Sequence, residues 1–253
     1  MATAETNVPA ILEIADDCLI LGHRLSEWCG HAPILEEEMA LANMGLDLLG
    51  QARALYAHAG QIEGKGRSED DLAFLRRERD YVNCLLVERR NGDFAHTMLR
   101  QLYFAAFMQP WWRAVAETSS DETLRGIAAK AEKEMAYHLR HAGEWVIRLG
   151  DGTGESAERL QAAVDELHRY TGELFMASPA RAQAVTDGLL PDSESLRAEW
   201  DHTIATVFSA AKLTMPEVRV AQKGGRDGMH GEDMGHLLAE LQFMQRAYPG
   251  LSW

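Results

Sequence analysis

The chain has 253 residues, 46% of them hydrophobic and 25% charged, and a formal net charge of −14 at pH 7. This is globular composition, long enough for one large core, and so acidic a surface repels phosphate backbones, which argues against nucleic-acid binding. Three scattered cysteines, Cys18, Cys29 and Cys84, form no CxxC and no even set, so a disulfide framework is not expected and a reducing cytoplasm is.

The first residues, MATAETNVPA, have no basic start and no apolar run, unlike a secretory signal, and no window approaches the roughly 20 apolar residues of a membrane span. From there the periodicity is helical nearly throughout, with almost no strand-like alternation. A first helix is predicted from Val8 to Cys29. GHAP then turns the chain, with Pro33 suited to the first position of a second helix, Ile34 to His58. Glu36, Glu37 and Glu38 favour the positive end of that helix's dipole. After the glycine-rich loop GQIEGKGRSEDD a shorter charged helix is expected over Asp71–Glu88. NGD is a turn in which Asp93 caps a long helix, Phe94–Thr118, kinked by Pro110. Asp121 caps the next, which runs to Leu149 and stops at GDGTG. Further helices are predicted at Ser156–Met176, Ser193–Leu213 and His230–Ala247. With no repeat and no linker, the simplest arrangement is one all-α domain over residues 1–253, with a four-helix core and additional C-terminal helices.

KEMAYHLRHAGEW, Lys133–Trp145, nearly spells a metal motif. Di-iron bundles carry Glu-x-x-His, two ligands on one helical face. Here His138 is preceded at that spacing by Met135, a thioether ill suited to a carboxylate-rich iron site. Glu134 is one step early, about 100° round the helix from Met135; it either approaches the site or, as expected, points to solvent or pairs with Arg140 or Lys130. On the second helix Asn43, Asp47 and Gln51 make a polar stripe at four-residue steps, and Gly50 stands where Asp47 would need its histidine. The stripe reads either as a polar network inside the bundle or as a face toward another subunit. Between Asp93 and Glu117 the third long helix has no acid at all. The first helix offers Glu27, with His23 one turn before it. At most three of six ligands can be assembled, so Glu27, Asp47, Met135 and His138 read as remnant positions with no metal. His138 is then expected to be structural, bonded to Asp47 or Gln51. A catalytic residue is not identified. QKGGRDGMHGED lacks the phosphate-loop pattern and reads as a connecting loop; there is no G-x-S-x-G elbow; Trp111 and Trp112 read as core or interface anchors.

Four stretches carry a resemblance: RLSEWCGHAPILEEEMALANMGLDLLGQAR (Arg24–Arg53), LLVERRNGDFAHTMLRQ (Leu85–Gln101), AYHLRHAGEW (Ala136–Trp145) and GMHGEDMGHLLAELQFMQRAYPG (Gly228–Gly250). Over nearly its whole length the chain resembles the PaaC-type structural subunits of the multicomponent phenylacetyl-CoA epoxidase, or ring 1,2-phenylacetyl-CoA monooxygenase. The resemblance implies a ferritin-like fold and a place in phenylacetate catabolism. It implies a homologous partner subunit that holds the di-iron centre, binds most of the phenylacetyl-CoA and epoxidises its aromatic ring. It further implies a small accessory subunit and a reductase with flavin and iron–sulfur groups, the assembly consuming NADPH and dioxygen. The chain itself would carry no cofactor. It also suggests contact with the CoA part of the substrate at Asp80, Tyr81, Val82 and Asn83 and at Arg181, Ala182 and Gln183, with Arg77 and Arg79 suited to a nucleotide. The alternative is a metal-binding ferritin-like enzyme in its own right, using Glu27, Asp47, Glu134 and His138 in an unusual ligand set. A ferritin-type storage role fails with the missing carboxylates.

Overall fold

The computed structural model describes residues 7–218 and 220–251; residues 1–6, where much of the N-terminal reading falls, lie outside them. The eleven α-helices among the described residues are α1 (Val8–Ser26), α2 (Leu35–Glu63), α3 (Glu69–Phe74), α4 (Leu85–Glu88), α5 (Phe94–Thr118), α6 (Glu122–Gly150), α7 (Gly154–Leu167), α8 (Pro179–Thr186), α9 (Arg197–Ala210), α10 (Glu232–Leu241) and α11 (Phe243–Ala247). No strand occurs among the described residues, and the expected all-α, ferritin-like bundle is the architecture found.

Two helix pairs make the core. α1 packs along α2, α5 packs along α6, and the pairs meet through α2 and α6. α1 and α2 come together at two glycines. A Cβ added to Gly22 would lie 3.2 Å from the Gly45 carbonyl oxygen, and one on Gly45 would lie 3.3 Å from that of Gly22. Bare backbones there let the helices approach more closely than side chains would allow. α5 is buried nearly all round and continues through Pro110. The proline ring supplies no N–H to the turn before it, a loss that helix interiors normally resist, and packing on every side holds the helix together. Trp111 and Trp112 meet edge to face, 4.8 Å apart, inside the core.

The two predicted caps are in place. Asp93 accepts from the His96 amide at 3.0 Å and Asp121 from the Leu124 amide at 2.9 Å. Pro33, by contrast, precedes the helix, whose N-cap is Ile34. The largest departure is between Asp71 and Glu88, where one helix was expected. The chain instead makes α3, a short 3-10 turn at Glu78–Asp80, an extended strap and then α4. The reason is tertiary. The Val82 and Cys84 amides donate to the buried carboxylates of Asp16 and Asp17, at 2.9 and 2.7 Å, and so cannot serve a helical ladder. Similarly, the helix expected to reach Met176 becomes 3-10 after Leu167. α8, started by Pro179 and capped by Ser178, was not foreseen.

Candidate functional site

Where a ferritin-like bundle would hold metal, α2, α5 and α6 enclose a small polar cluster. Its first branch centres on His138, fully buried on α6. Gln101 Nε2, from α5, donates to His138 Nδ1 at 2.9 Å, and His138 Nε2 donates to Asp47 Oδ2, from α2, at 3.1 Å. Both ring nitrogens are therefore taken. The second branch centres on Gln51. Its amide nitrogen donates to Glu134 at 3.0 Å; its oxygen accepts from Trp112 Nε1 at 3.2 Å and from the Cys18 thiol at 3.7 Å. Burial pushes the Cys18 thiol well up, and the charges of Asp17, Glu134 and Asp16 push the same way, so it stays protonated and serves as a donor.

The polar stripe of α2 thus has two characters. Asn43 faces solvent, Asp47 is half-buried and Gln51 is buried, so the stripe runs from the surface into the bundle. Glu134 pairs with Lys130 at 3.1 Å, as expected, and also reaches inward to Gln51. Glu27 lies past the end of α1, where Arg24 and Asn91 hold its carboxylate at 2.7 and 3.1 Å; it shares no partner with Asp47 or His138. Met135 is buried at the position a ligand carboxylate would need. On the facing helix Gln101 and Trp112 supply an amide and an indole. Among the described residues no group of three or more His, Cys, Asp or Glu is placed to share an ion. Two carboxylates on separate branches, Asp47 and Glu134, with an amide, an indole and a thioether at the other positions and both nitrogens of the imidazole hydrogen-bonded, do not make the donor set of a carboxylate-bridged iron pair.

A second cluster lies where the two expected CoA-contact stretches meet α1. Asp16, Asp17 and Glu13 are buried there on one helix. Three arginines answer them. Arg76 bonds Asp16, in part at 3.0 Å; Arg226 bonds Asp17 at 2.7 and 3.0 Å; Arg181 approaches Glu13 to 3.1 Å. Burial raises the Asp17 pKa from its ordinary value, although Arg226 and the Cys84 amide oppose the rise. Arg226 also bonds the Val82 carbonyl at 2.9 Å, which joins the strap to the C-terminal loop. That loop packs without room to spare: a Cβ on Gly225 would lie 2.1 Å from the Asn83 carbonyl oxygen.

Most of the expected CoA-contact residues have internal duties. The Tyr81 hydroxyl donates to the Ala73 carbonyl and accepts from Gln242 at 3.0 Å. Val82 serves Asp16 and Arg226 through its backbone. Asn83 donates to Glu88 at 3.0 Å, and Arg181 is held by Glu13 and Ser193. Asp80, Ala182 and Gln183 are exposed, as are Arg77 and Arg79. Sequence reasoning missed Arg76, Arg226, Glu173, Glu88 and His230, which close this network; Glu173 alone accepts from the Leu85, Gly224 and Arg226 amides. One signal was available: two adjacent acids in the apolar run of the first helix require buried bases elsewhere. QKGGRDGMHGED is a loop, as read, but it delivers one of those bases.

No helix among the described residues is long and apolar enough to cross a membrane. A family model described as "Phenylacetic acid catabolic protein" matches residues 1–253. The chain is 44% identical over 242 residues, 96% of its length and 97% of the relative's, to an Escherichia coli (strain K12) protein named as one of the subunits of 1,2-phenylacetyl-CoA epoxidase.

Proposed function

The chain belongs to the phenylacetic acid catabolic protein family, and from that membership we propose that it is a non-catalytic, structural subunit of a multi-subunit phenylacetyl-CoA epoxidase. In this reading it pairs with a homologous subunit that holds the di-iron centre and carries out the NADPH- and dioxygen-dependent epoxidation of the ring. A small accessory subunit and a flavin and iron–sulfur reductase complete the assembly in the cytoplasm. The chain brings no metal, flavin or nicotinamide of its own.

The observation that carries the reading is the fate of His138. Its Nδ1 accepts from Gln101 and its Nε2 donates to Asp47, so the one imidazole in the metal position is spent on the fold. A ligand imidazole keeps one nitrogen for the metal and gives only the other to a hydrogen-bond partner.

Contact with the CoA end of the substrate belongs to the same proposal. The exposed Asp80, Ala182 and Gln183, flanked by Arg77 and Arg79, would face the nucleotide, with Tyr81, Val82, Asn83 and Arg181 fixing the backbone beneath them. Reconstitution tests the main reading. Purified alone, the chain should contain well under one iron per molecule. Mixed with the di-iron subunit, accessory subunit and reductase, it should be required for epoxidation. Activity that is complete without it, or iron bound stoichiometrically to the isolated chain, would refute the proposal.

A further inference from the structure

α10 and α11 close the chain over the strap, and little apolar surface holds them there. Met234, Leu237 and Leu238 of α10 are buried, while Phe243 and Met244 of α11 stay exposed. Polar anchors supplement this small seal. Gln242 donates to the Arg76 carbonyl and to the Tyr81 hydroxyl, each at 3.0 Å, and Arg246 donates to the Arg76 carbonyl at 2.8 Å. The Gly231 amide donates to Glu88 at 2.6 Å. His230, its side chain fully buried, joins both sides: Nδ1 lies 2.7 Å from Glu88 Oε2, and Nε2 lies 2.9 Å from the Tyr81 carbonyl oxygen. A carbonyl can only accept. Glu88 takes Asn83 on the same oxygen as His230 and Gly231 on the other, the pattern of a carboxylate that accepts throughout. Both ring nitrogens therefore donate, which only the imidazolium can do. The charges around the ring agree. Glu78, from the 3-10 turn, favours the cation together with Glu88. Arg24 of α1 bonds the Glu88 carbonyl rather than its carboxylate, Asp233 of α10 is held by Arg90, and Arg89 lies beside Gly231.

We infer that the segment from Met229 to Leu251 is a latch on the strap, closed by the His230 imidazolium and released when that ring loses a proton. Whichever proton leaves, a lone pair is left facing an acceptor. Without the Nε2 proton it faces the Tyr81 carbonyl; without the Nδ1 proton it faces the Glu88 carboxylate. A buried acceptor deprived of its donor costs more than the bond itself contributed, and opening lets water supply the donor. The opening has a defined limit. Upstream, Arg226 is tied to Asp17 at 2.7 and 3.0 Å and Gly225 is packed against Asn83, so the loop before Gly228 stays in place. The direction of the pH response follows from the surroundings of His230. Burial disfavours its charge, but the Glu88 bond and charge, the Tyr81 carbonyl and Glu78 outweigh burial and raise its pKa. In the open segment the ring returns to about 6.5. Opening is therefore independent of pH below about 6.5, rises by up to about tenfold per pH unit from there to the raised value, and levels off above it. The inference rests on the packing of this chain alone and holds whether or not the strap meets CoA.

Two measurements on the full chain test the latch. Nitrogen-15 NMR of histidine-labelled protein should show both His230 nitrogens protonated at pH 6.5. Amide exchange followed from pH 6 to 9, corrected for the intrinsic rate at each pH, should show protection over residues 230–247 falling at least about threefold while α5 and α6 keep theirs. His230→Asn should lower the protection of this segment at pH 6 and remove its pH dependence. His236→Gln, which replaces the exposed histidine of α10, should leave the dependence intact. His23 of α1, which senses Glu240 of α10, is driven by burial below the ordinary histidine value and so titrates under this range. A neutral His230 at pH 6.5, protection that is constant from pH 6 to 9, a loss shared equally by α5 and α6, or a dependence that survives His230→Asn would overturn the inference. Should that variant fail to fold, the two readings on the wild type decide the matter without it.

Discussion

Replacing His138 by alanine separates a structural imidazole from a ligand. The side chain fills a fully buried site, so its removal leaves a cavity costing about 1–2 kcal/mol. Gln101 suffers more. Its Oε1 has no protein partner, and its Nε2 bond is to His138, so the substitution orphans the whole buried amide at about 1–3 kcal/mol. Asp47 adds little, because its side chain is 32% exposed and water can replace the lost donor. The expected loss is about 2–5 kcal/mol, or roughly 4–20 °C in melting temperature for a chain of this size. The Gln101→Leu/His138→Leu pair should recover part of it, since both polar partners then leave together. Thermal melts of the isolated chain measure the first effect, and elemental analysis of the assembled complex measures iron per catalytic subunit. Iron should be unchanged. A stoichiometric loss of iron from an intact complex, or a stability change under about 0.5 kcal/mol, would refute the reasoning.

Arg226→Met should cost about 3–5 kcal/mol in urea unfolding, because it leaves the buried Asp17 carboxylate without its two arginine bonds; Asp17→Leu in the same chain should restore much of the loss. His230 provides a pH test. Burial alone would lower its pKa, but the 2.7 Å bond and charge of Glu88 outweigh burial and raise it. Its stabilisation is therefore complete below the ordinary value of about 6.5 and fades as pH climbs through the raised value. The stability difference between the wild type and His230→Asn should accordingly shrink from pH 6 to 8.5, and a constant difference would remove His230 as its source. Gly45→Val should cost about 1–3 kcal/mol by forcing α1 from α2, read as a fall in the urea midpoint.

The long helices were legible because their signals are local. Asp93 and Asp121 stand at the caps they were assigned, and the long apolar run of α5 and the apolar period of α6 need no tertiary knowledge. The strap between Phe74 and Leu85 was not legible. Its residues have helical character, but the acids of α1 take their amides, and those acids lie more than sixty residues away in the chain. The same distance hid the site chemistry. Asp47 and His138 could be paired on paper because each lacked its motif partner. Gln51 was marked by its place in the polar stripe of α2, but Gln101 carried no such mark, since a buried glutamine announces nothing until its neighbours are known. Arg226 was masked by its setting, a glycine-rich loop whose residues are normally solvated.

The buried ion network also bears on the order of events during synthesis. Asp17 is translated among the first residues, whereas Arg226 follows it by 209 positions. Arg76 and Arg181 arrive at intermediate times, and Glu173 must wait for the Gly224 and Arg226 amides. Until then α1 carries acids destined for the interior with part of their counter-charge missing, and they cannot be desolvated cheaply. The α5–α6 hairpin holds none of these acids and does not wait for Arg226. Final closure of α1 against the strap waits for nearly the whole chain. A long-range closure of this kind slows folding and keeps apolar surface open to association in the interim. The nascent chain should therefore engage holding chaperones until the segment after residue 226 has emerged, and a ribosome stalled before that point should present an α1 that proteases still cut.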